Sequence, residues 1–161
     1  MNIKACLSSD KNYWETPTDF YNELNSKYNF TLDPCSSETN HKCEKYYTKE
    51  DNGLEKSWEG EIVFCNPPYG RYDTGKWVEK CHEESKHSVI VLLIPARTDT
   101  AWFHTHIYGK HEIQFIKGRL KFELNGEPMK DDKGRLQSAP FPSMLVIMKP
   151  EDHSVFNEED L

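Results

Sequence analysis

No stretch of this chain is apolar enough to cross a bilayer. Its longest apolar run, Val89 to Ile94, is six residues where about twenty are needed. The segment Met1 to Lys11 lacks the apolar centre of a secretory signal. Cysteine is scarce and odd in number, five residues without a framework spacing. That excludes a disulfide-stapled scaffold and points to a reducing cytoplasm. Positive charge is in deficit, 20 Lys and Arg against 27 Asp and Glu for a net −7, so a uniformly basic nucleic-acid binder is not expected. Paired metal-ligand spacing is missing too. Cys35, His41 and Cys43, even with Cys65, Cys81 and His82 as partners, fit no zinc pattern, and no metal is expected.

Neither an internal repeat nor a Pro/Gly-rich linker divides the chain. One domain over residues 1–150 is expected, followed by an acidic, flexible tail over residues 151–161. Bases do collect locally, at Lys117, Arg119 and Lys121 and again at Lys130, Lys133 and Arg135, so a basic face on an acidic protein is allowed.

What is present begins with Asn66-Pro67-Pro68-Tyr69, directly behind the apolar run Ile62 to Cys65. An amide, two prolines of fixed φ and an aromatic at the end of a buried strand suit the gripping of a planar amine. Around it the pattern alternates. Thr16 as N-cap, Pro17 at the first helical position and Asp19 predict a helix with the stripe Phe20, Leu24, Tyr28. Asn29 to Asp33 reads as a short strand, and Ser36 to Tyr47 as at best a short helix. Glu61 to Cys65 and Ser88 to Pro95 read as buried strands, with a helix over Gly75 to Lys86 between them. Asp99 predicts the cap of a helix to Tyr108. Alternation at Ile113 and Phe115 and at Leu120, Phe122 and Leu124, then Ser143 to Lys149, predicts a terminal antiparallel set. Asn125 to Ser138 reads as a long exposed loop.

Strands alternating with helices predict a three-layer αβα sheet whose ligands sit at the carboxyl ends of the strands. Asp33, Asn66 and Pro95-Ala96-Arg97 fall at three such ends.

The string Trp14-x-Thr16-Pro17, Leu32-Asp33-x-Cys35, Asn40-x-Lys42, Tyr46-Tyr47-Thr48, Asp51-x-Gly53-Leu54, Trp58 and Asn66-Pro67-Pro68-Tyr69-Gly70 resembles the phage-type DNA N6-adenine methyltransferase (Dam) family. Leu93 to Thr100, Trp102-Phe103, Gly118-Arg119-Leu120-x-Phe122 and Ala139 to Ser143 continue the likeness, from Trp14 to Met148. The Asn-Pro-Pro-Tyr element is common to methylases of several amines, and the flanking string points to adenine in DNA.

The resemblance implies S-adenosylmethionine as donor. It also implies a trimmed Rossmann-like class I methyltransferase fold, with an antiparallel C-terminal hairpin in a mixed sheet. Asn66, Pro67, Pro68 and Tyr69 would be catalytic, Tyr69 stacking on a flipped base. Trp14, Thr16, Pro17, Asp33, Cys35, Asp51 and Asn66 would bind the donor, and Arg97, Thr98, Asp99, Lys117 and Arg119 would meet substrate or DNA. One departure from the wider class is that no Gly-x-Gly follows Asp33, where Ser36-Ser37-Glu38 stand. Double-stranded DNA in a host cytoplasm is the implied partner, and a palindromic site would suit a homodimer. The rival readings are a methylase of another amine (cytosine N4, RNA or protein glutamine) and a non-catalytic module binding DNA or the donor.

Overall fold

The computed structural model describes residues 13–155. Its centre is a six-stranded sheet built from β1 (Leu32–Asp33), β2 (Lys45–Tyr46), β3 (Ile62–Cys65), β4 (Val89–Pro95), β5 (Glu112–Phe115) and β8 (Ser143–Met148). The strand order is β2-β1-β3-β4-β8-β5. β1 to β4 pair in parallel, and β8 is wedged antiparallel between β4 and β5. It follows that β5 points the same way as β1 to β4. A separate hairpin joins β6 (Glu123–Leu124) to β7 (Glu127–Pro128).

The apolar runs build the core by simple alternation. Successive β4 side chains point to opposite faces. Ile90, Leu92 and Ile94 meet Trp77, Val78 and Cys81 of α2 (Asp73–Glu84) and Phe103 of α3 (Ala101–His106). Val91 and Leu93 meet Phe64, Phe122, Leu145 and Tyr21 of α1 (Thr18–Tyr28). Both faces are therefore covered, as the unbroken hydrophobicity of β4 and β8 demands. Burying each Leu- or Ile-sized side chain contributes about 1.5–3 kcal/mol. The expected three layers are present, and the sheet is trimmed as expected. Between β1 and β3 stand only β2 and a 3-10 turn at Gly53–Glu55.

Several local expectations are corrected. Thr16 does not cap α1; Pro17 occupies the N-cap, without a side-chain cap bond. The first free amide, Thr18 N, instead donates to Glu123 Oε1 at 2.8 Å, and Thr18 Oγ1 donates to Glu123 Oε2 at 3.0 Å. A carboxylate 105 residues away thus does the capping, because the Thr16 hydroxyl is engaged elsewhere. α3 is capped by Thr100, whose Oγ1 accepts from Phe103 N, rather than by Asp99. It also stops at His106 instead of Tyr108. Ser36 to Tyr47 holds no helix, only bends leading into β2.

The long loop after Leu124 is partly ordered. Asn125 and Gly126, with φ of 53° and 79°, form the two-residue left-handed turn that joins β6 to β7, and Lys130 bridges Leu136. The start of the segment expected as a tail is ordered. Pro150–Val155 is a 3-10 turn in which Asp152 and His153 hydrogen-bond back to the body. Residues 156–161 lie outside the described part.

Candidate active-site cleft

β1 and β3 both end on the same side of the sheet, and a cleft of about 740 Å³ opens there, within the range of small-molecule sites. Its walls are Tyr13 to Thr16, the segment Asp33 to Asn40 behind β1, Asn52 to Leu54, Asn66 to Pro68 behind β3, and Asp73 and Trp77 of α2. Five carboxylates (Glu15, Asp33, Glu38, Glu50, Asp73) face it, against Lys42 and Lys49. Such a lining favours a cation and disfavours a phosphate backbone.

Asp33 is the buried acid of this wall, 5% exposed. Its Oδ2 accepts from Lys42 N at 2.9 Å, and its Oδ1 from Cys35 N at 3.4 Å. Burial pushes its carboxyl up to about 6, and those backbone donors offset only part of that. Close backbone approach beside it comes from Gly53. A Cβ there would lie 2.2 Å from the Pro34 carbonyl oxygen, so only glycine lets the 3-10 turn pack on the strand end. The Gly53 carbonyl in turn accepts from Trp58 Nε1 at 3.0 Å.

Asn66 stands where β3 leaves the sheet. Its Nδ2 donates to the Trp14 carbonyl and, at 2.9 Å, to Thr16 Oγ1. A backbone carbonyl can only accept, so the amide orientation is fixed with Oδ1 on the other side. There Oδ1 accepts from the Tyr69 hydroxyl, which also lies 3.1 Å from the Leu93 carbonyl. Burial raises the Tyr69 hydroxyl well above its ordinary range, so it remains a donor. The Tyr69 ring meets Phe122 at 6.1 Å and Phe141 at 5.5 Å, both edge-on. Trp14 meets Phe141 in the same manner at 5.2 Å. Thr74 Oγ1 donates to the Pro68 carbonyl at 3.1 Å and ties the proline turn to α2.

Of the residues singled out in the sequence, Trp14, Thr16, Asp33, Cys35, Asn66, Pro67 and Pro68 line one cleft. The others lie off its walls. Pro17 starts α1. Asp51 is exposed and accepts from Thr48 N and Oγ1, which hold its carboxyl below the ordinary value, while Glu50 and Asn52 face the cleft instead. Tyr69 sits behind Asn66. Arg97, Thr98 and Asp99 are exposed beyond the end of β4, and Lys117 and Arg119 are exposed between β5 and β6. Arg119 Nη1 donates to the Ala139 carbonyl at 3.2 Å.

Sequence reasoning missed Glu15, Glu50, Asn52, Gly53, Asp73 and Trp77 as cleft residues. Glu15 carried no local signal, because its carboxylate accepts from Asn125 N and Gly126 N, at a turn 110 residues further on.

A family model described as DNA N-6-adenine-methyltransferase (Dam) matches residues 4–160 of this chain. The chain is 35% identical over 119 residues to a DNA N-6-adenine-methyltransferase of Escherichia phage T1, covering 72% of this chain and 49% of that protein. It is 29% identical over 147 residues to a DNA N-6-adenine-methyltransferase of Haemophilus phage HP1 (strain HP1c1), covering 88% of this chain and 81% of that one. The match thus spans about half the length of the T1 relative.

Proposed function

We propose that this chain, which belongs to the DNA N-6-adenine-methyltransferase (Dam) family, methylates N6 of an adenine flipped out of duplex DNA. The observation that carries this reading is an oriented carboxamide, that of Asn66, on the wall of an acidic cleft that suits a cationic methyl donor.

S-adenosylmethionine, when bound, supplies a methyl carbon made electrophilic by a sulfonium sulfur. Its positive charges fit the lining, and Asp33 is the residue best placed to meet them, since a buried carboxylate near its ionisation point gains most from a cation. Trp14, Thr16, Cys35, Asn52 and Gly53 would enclose the remainder. Asp51 would act through the Thr48 turn that presents Glu50 and Asn52, and Pro17 through the fixed start of α1.

Adenine N6 is a poor nucleophile because its lone pair is delocalised into the ring. Two acceptors, Asn66 Oδ1 and the Pro67 carbonyl, would draw on its hydrogens and leave the lone pair exposed. Oδ1 has two lone pairs, so it can hold the Tyr69 hydroxyl and an amine N–H together. Orientation of this kind contributes up to about 7–11 kcal/mol in well-aligned systems. The methylated nitrogen is acidic enough to lose its proton to water. Tyr69 acts through Asn66, and its ring would stack on the base only after turning away from Phe122 and Phe141. The exposed Arg97, Thr98, Asp99, Lys117 and Arg119 would meet the flanking duplex. A two-fold dimer would suit a palindromic site, and a phage-encoded chain would act in host cytoplasm.

The deciding experiment follows tritiated methyl transfer to duplex DNA, with cytosine-only duplex, RNA and protein as competitors. It includes Asn66→Ala with donor and DNA affinities measured separately. Transfer to adenine that is lost in Asn66→Ala while both affinities persist supports the reading. No transfer by the unaltered protein to any adenine-containing duplex would leave a binding module.

A further inference from the structure

At the far end of α2 from the cleft, three imidazoles from separate parts of the chain converge. Among the described residues, His82, His111 and His153 each bring a ligand atom within 4.8 Å of the other two. His82 lies in the last turn of α2, His111 just before β5, and His153 in the 3-10 turn after β8. The His82 Nδ1 and His111 Nε2 atoms are 2.8 Å apart. A fourth ring, His106, stands 5.5 Å from His82 between centroids.

We propose that His82, His111 and His153 form a zinc-binding site that fastens the C-terminal segment to α2. The first support is an orienting carboxylate. His111 Nδ1 is 2.6 Å from Asp152 Oδ2, and the ring is only 1% exposed. A carboxylate accepts only, so Nδ1 carries the proton and the Nε2 lone pair faces His82. A histidine held by a carboxylate through one nitrogen, with the other turned inward, is the usual arrangement of a zinc ligand.

The second support is spacing. Zinc–nitrogen bonds of about 2.0–2.1 Å in a tetrahedron set ligand nitrogens about 3.3 Å apart. The 2.8 Å pair needs to open by only about half an ångström, and 4.8 Å leaves His153 a modest rotamer change away. His106 or a water would complete the set. Without metal, His82 Nδ1 donates to His111 Nε2 and His153 Nε2 pairs with Ser85 Oγ at 2.7 Å, so the ion would replace both contacts, the His82 proton moving to Nε2 and His153 turning from Ser85. Imidazole ligands select zinc and its neighbours over magnesium or calcium.

The role is fastening rather than chemistry. Asp73 and Trp77 line the cleft, and His82 lies about 13 Å further along the helix from Asp73, at about 1.5 Å per residue. The sequence hid the site because its ligands lie at no recognisable spacing.

The test uses the full chain without a histidine tag, stripped with chelator and titrated with zinc against a chromophoric competitor. One zinc per chain at submicromolar affinity is expected, with a thermal midpoint that rises with zinc concentration. Cobalt in its place should give the visible absorption of a four- or five-coordinate nitrogen site. His153→Ala and His82→Gln should each weaken zinc at least 100-fold, Asp152→Asn should weaken it 10–100-fold, and His104→Ala should change nothing. Metal-free circular dichroism establishes that each variant is folded, and His153→Ala carries the test should His82→Gln not fold. No uptake at ten-micromolar zinc would overturn the proposal. So would stoichiometric uptake that survives in His153→Ala, since the ion would then sit elsewhere.

Discussion

The hydroxyl of Tyr69 donates to the side-chain oxygen of Asn66, the atom proposed to accept from the adenine amine. The third residue after the asparagine thus helps to hold it, with the Leu93 carbonyl as the alternative acceptor at 3.1 Å. In this cleft the four-residue turn behind β3 is one hydrogen-bonded unit, closed by Trp14 and Thr16 on the amide side.

Tyr69→Phe keeps the ring and its edge contacts with Phe122 and Phe141 and removes only the hydroxyl. Losing one buried hydrogen bond to the carboxamide costs about 1–1.5 kcal/mol, so kcat should fall about tenfold with little change in KM for DNA. Tyr69→Ala also removes the ring, and its cavity should lower stability by about 3 kcal/mol. Steady-state methylation kinetics and urea unfolding measure both. A Tyr69→Phe enzyme with unaltered kcat would show that Asn66 is held well enough without it.

Asp33 sets a pH dependence whose sign follows from its burial. Its folded carboxyl titrates at about 6 against an ordinary 3.8, so its stabilising contribution is complete below about pH 4 and is lost as pH rises through 6. A rise of about two units corresponds to about 3 kcal/mol. The unaltered protein without donor should therefore lose about that much between pH 4 and pH 8 relative to Asp33→Asn. Denaturant midpoints across that range give the difference directly. Donor binding should run the other way, tightening as Asp33 ionises and releasing a proton near pH 6, which calorimetry in buffers of different ionisation enthalpy detects. Asp33→Asn should bind donor at least tenfold more weakly.

Gly53→Ala should damage the donor side alone. The new methyl would stand 2.2 Å from a backbone oxygen, that of Pro34, and a backbone atom cannot turn aside. Overpacking of this kind costs about 1–3 kcal/mol. Donor affinity should drop at least tenfold while DNA affinity, measured by fluorescence anisotropy, stays within twofold. Equal donor affinity in the two proteins would mean that the turn shifts freely and takes no part in holding the donor.

Elements decided by continuous local pattern were legible. β3 and β4 are unbroken apolar runs, and the Asn-Pro-Pro-Tyr turn follows the first of them. Placing Asp33 and Asn66 in one cleft needed only the rule that ligands gather at strand ends. What stayed hidden was decided by partners far along the chain. Thr16 has the chemistry of a helix cap and the chemistry of a side-chain acceptor, and only the approach of Asn66 selects the second. The alternation Leu120, Phe122, Leu124 read as a strand, and it said nothing of where the acid between the last two would go. Glu123 is 8% exposed, because Thr18 supplies the amide that makes its burial favourable. The acidic run near the C-terminus read as tail, since nothing local tells that Asp152 finds His111.

Glu123 gives the last prediction, because it joins stability to the site. Its two oxygens take both the amide and the hydroxyl of Thr18, two residues after the Thr16 that holds Asn66. Glu123→Ala removes a cap and a favourable charge at the start of α1, a loss of about 1–2 kcal/mol. Glu123→Gln keeps one acceptor and should lose about half as much. The start of α1 then loosens, and with it the segment from Trp14 to Thr16 that closes on the Asn66 amide. In Glu123→Ala, kcat should therefore fall several-fold even at temperatures where circular dichroism finds the protein fully folded, and Glu123→Gln should lie between. If Glu123→Ala lowers the thermal midpoint but turns over at the unaltered rate, α1 is anchored independently of the catalytic turn.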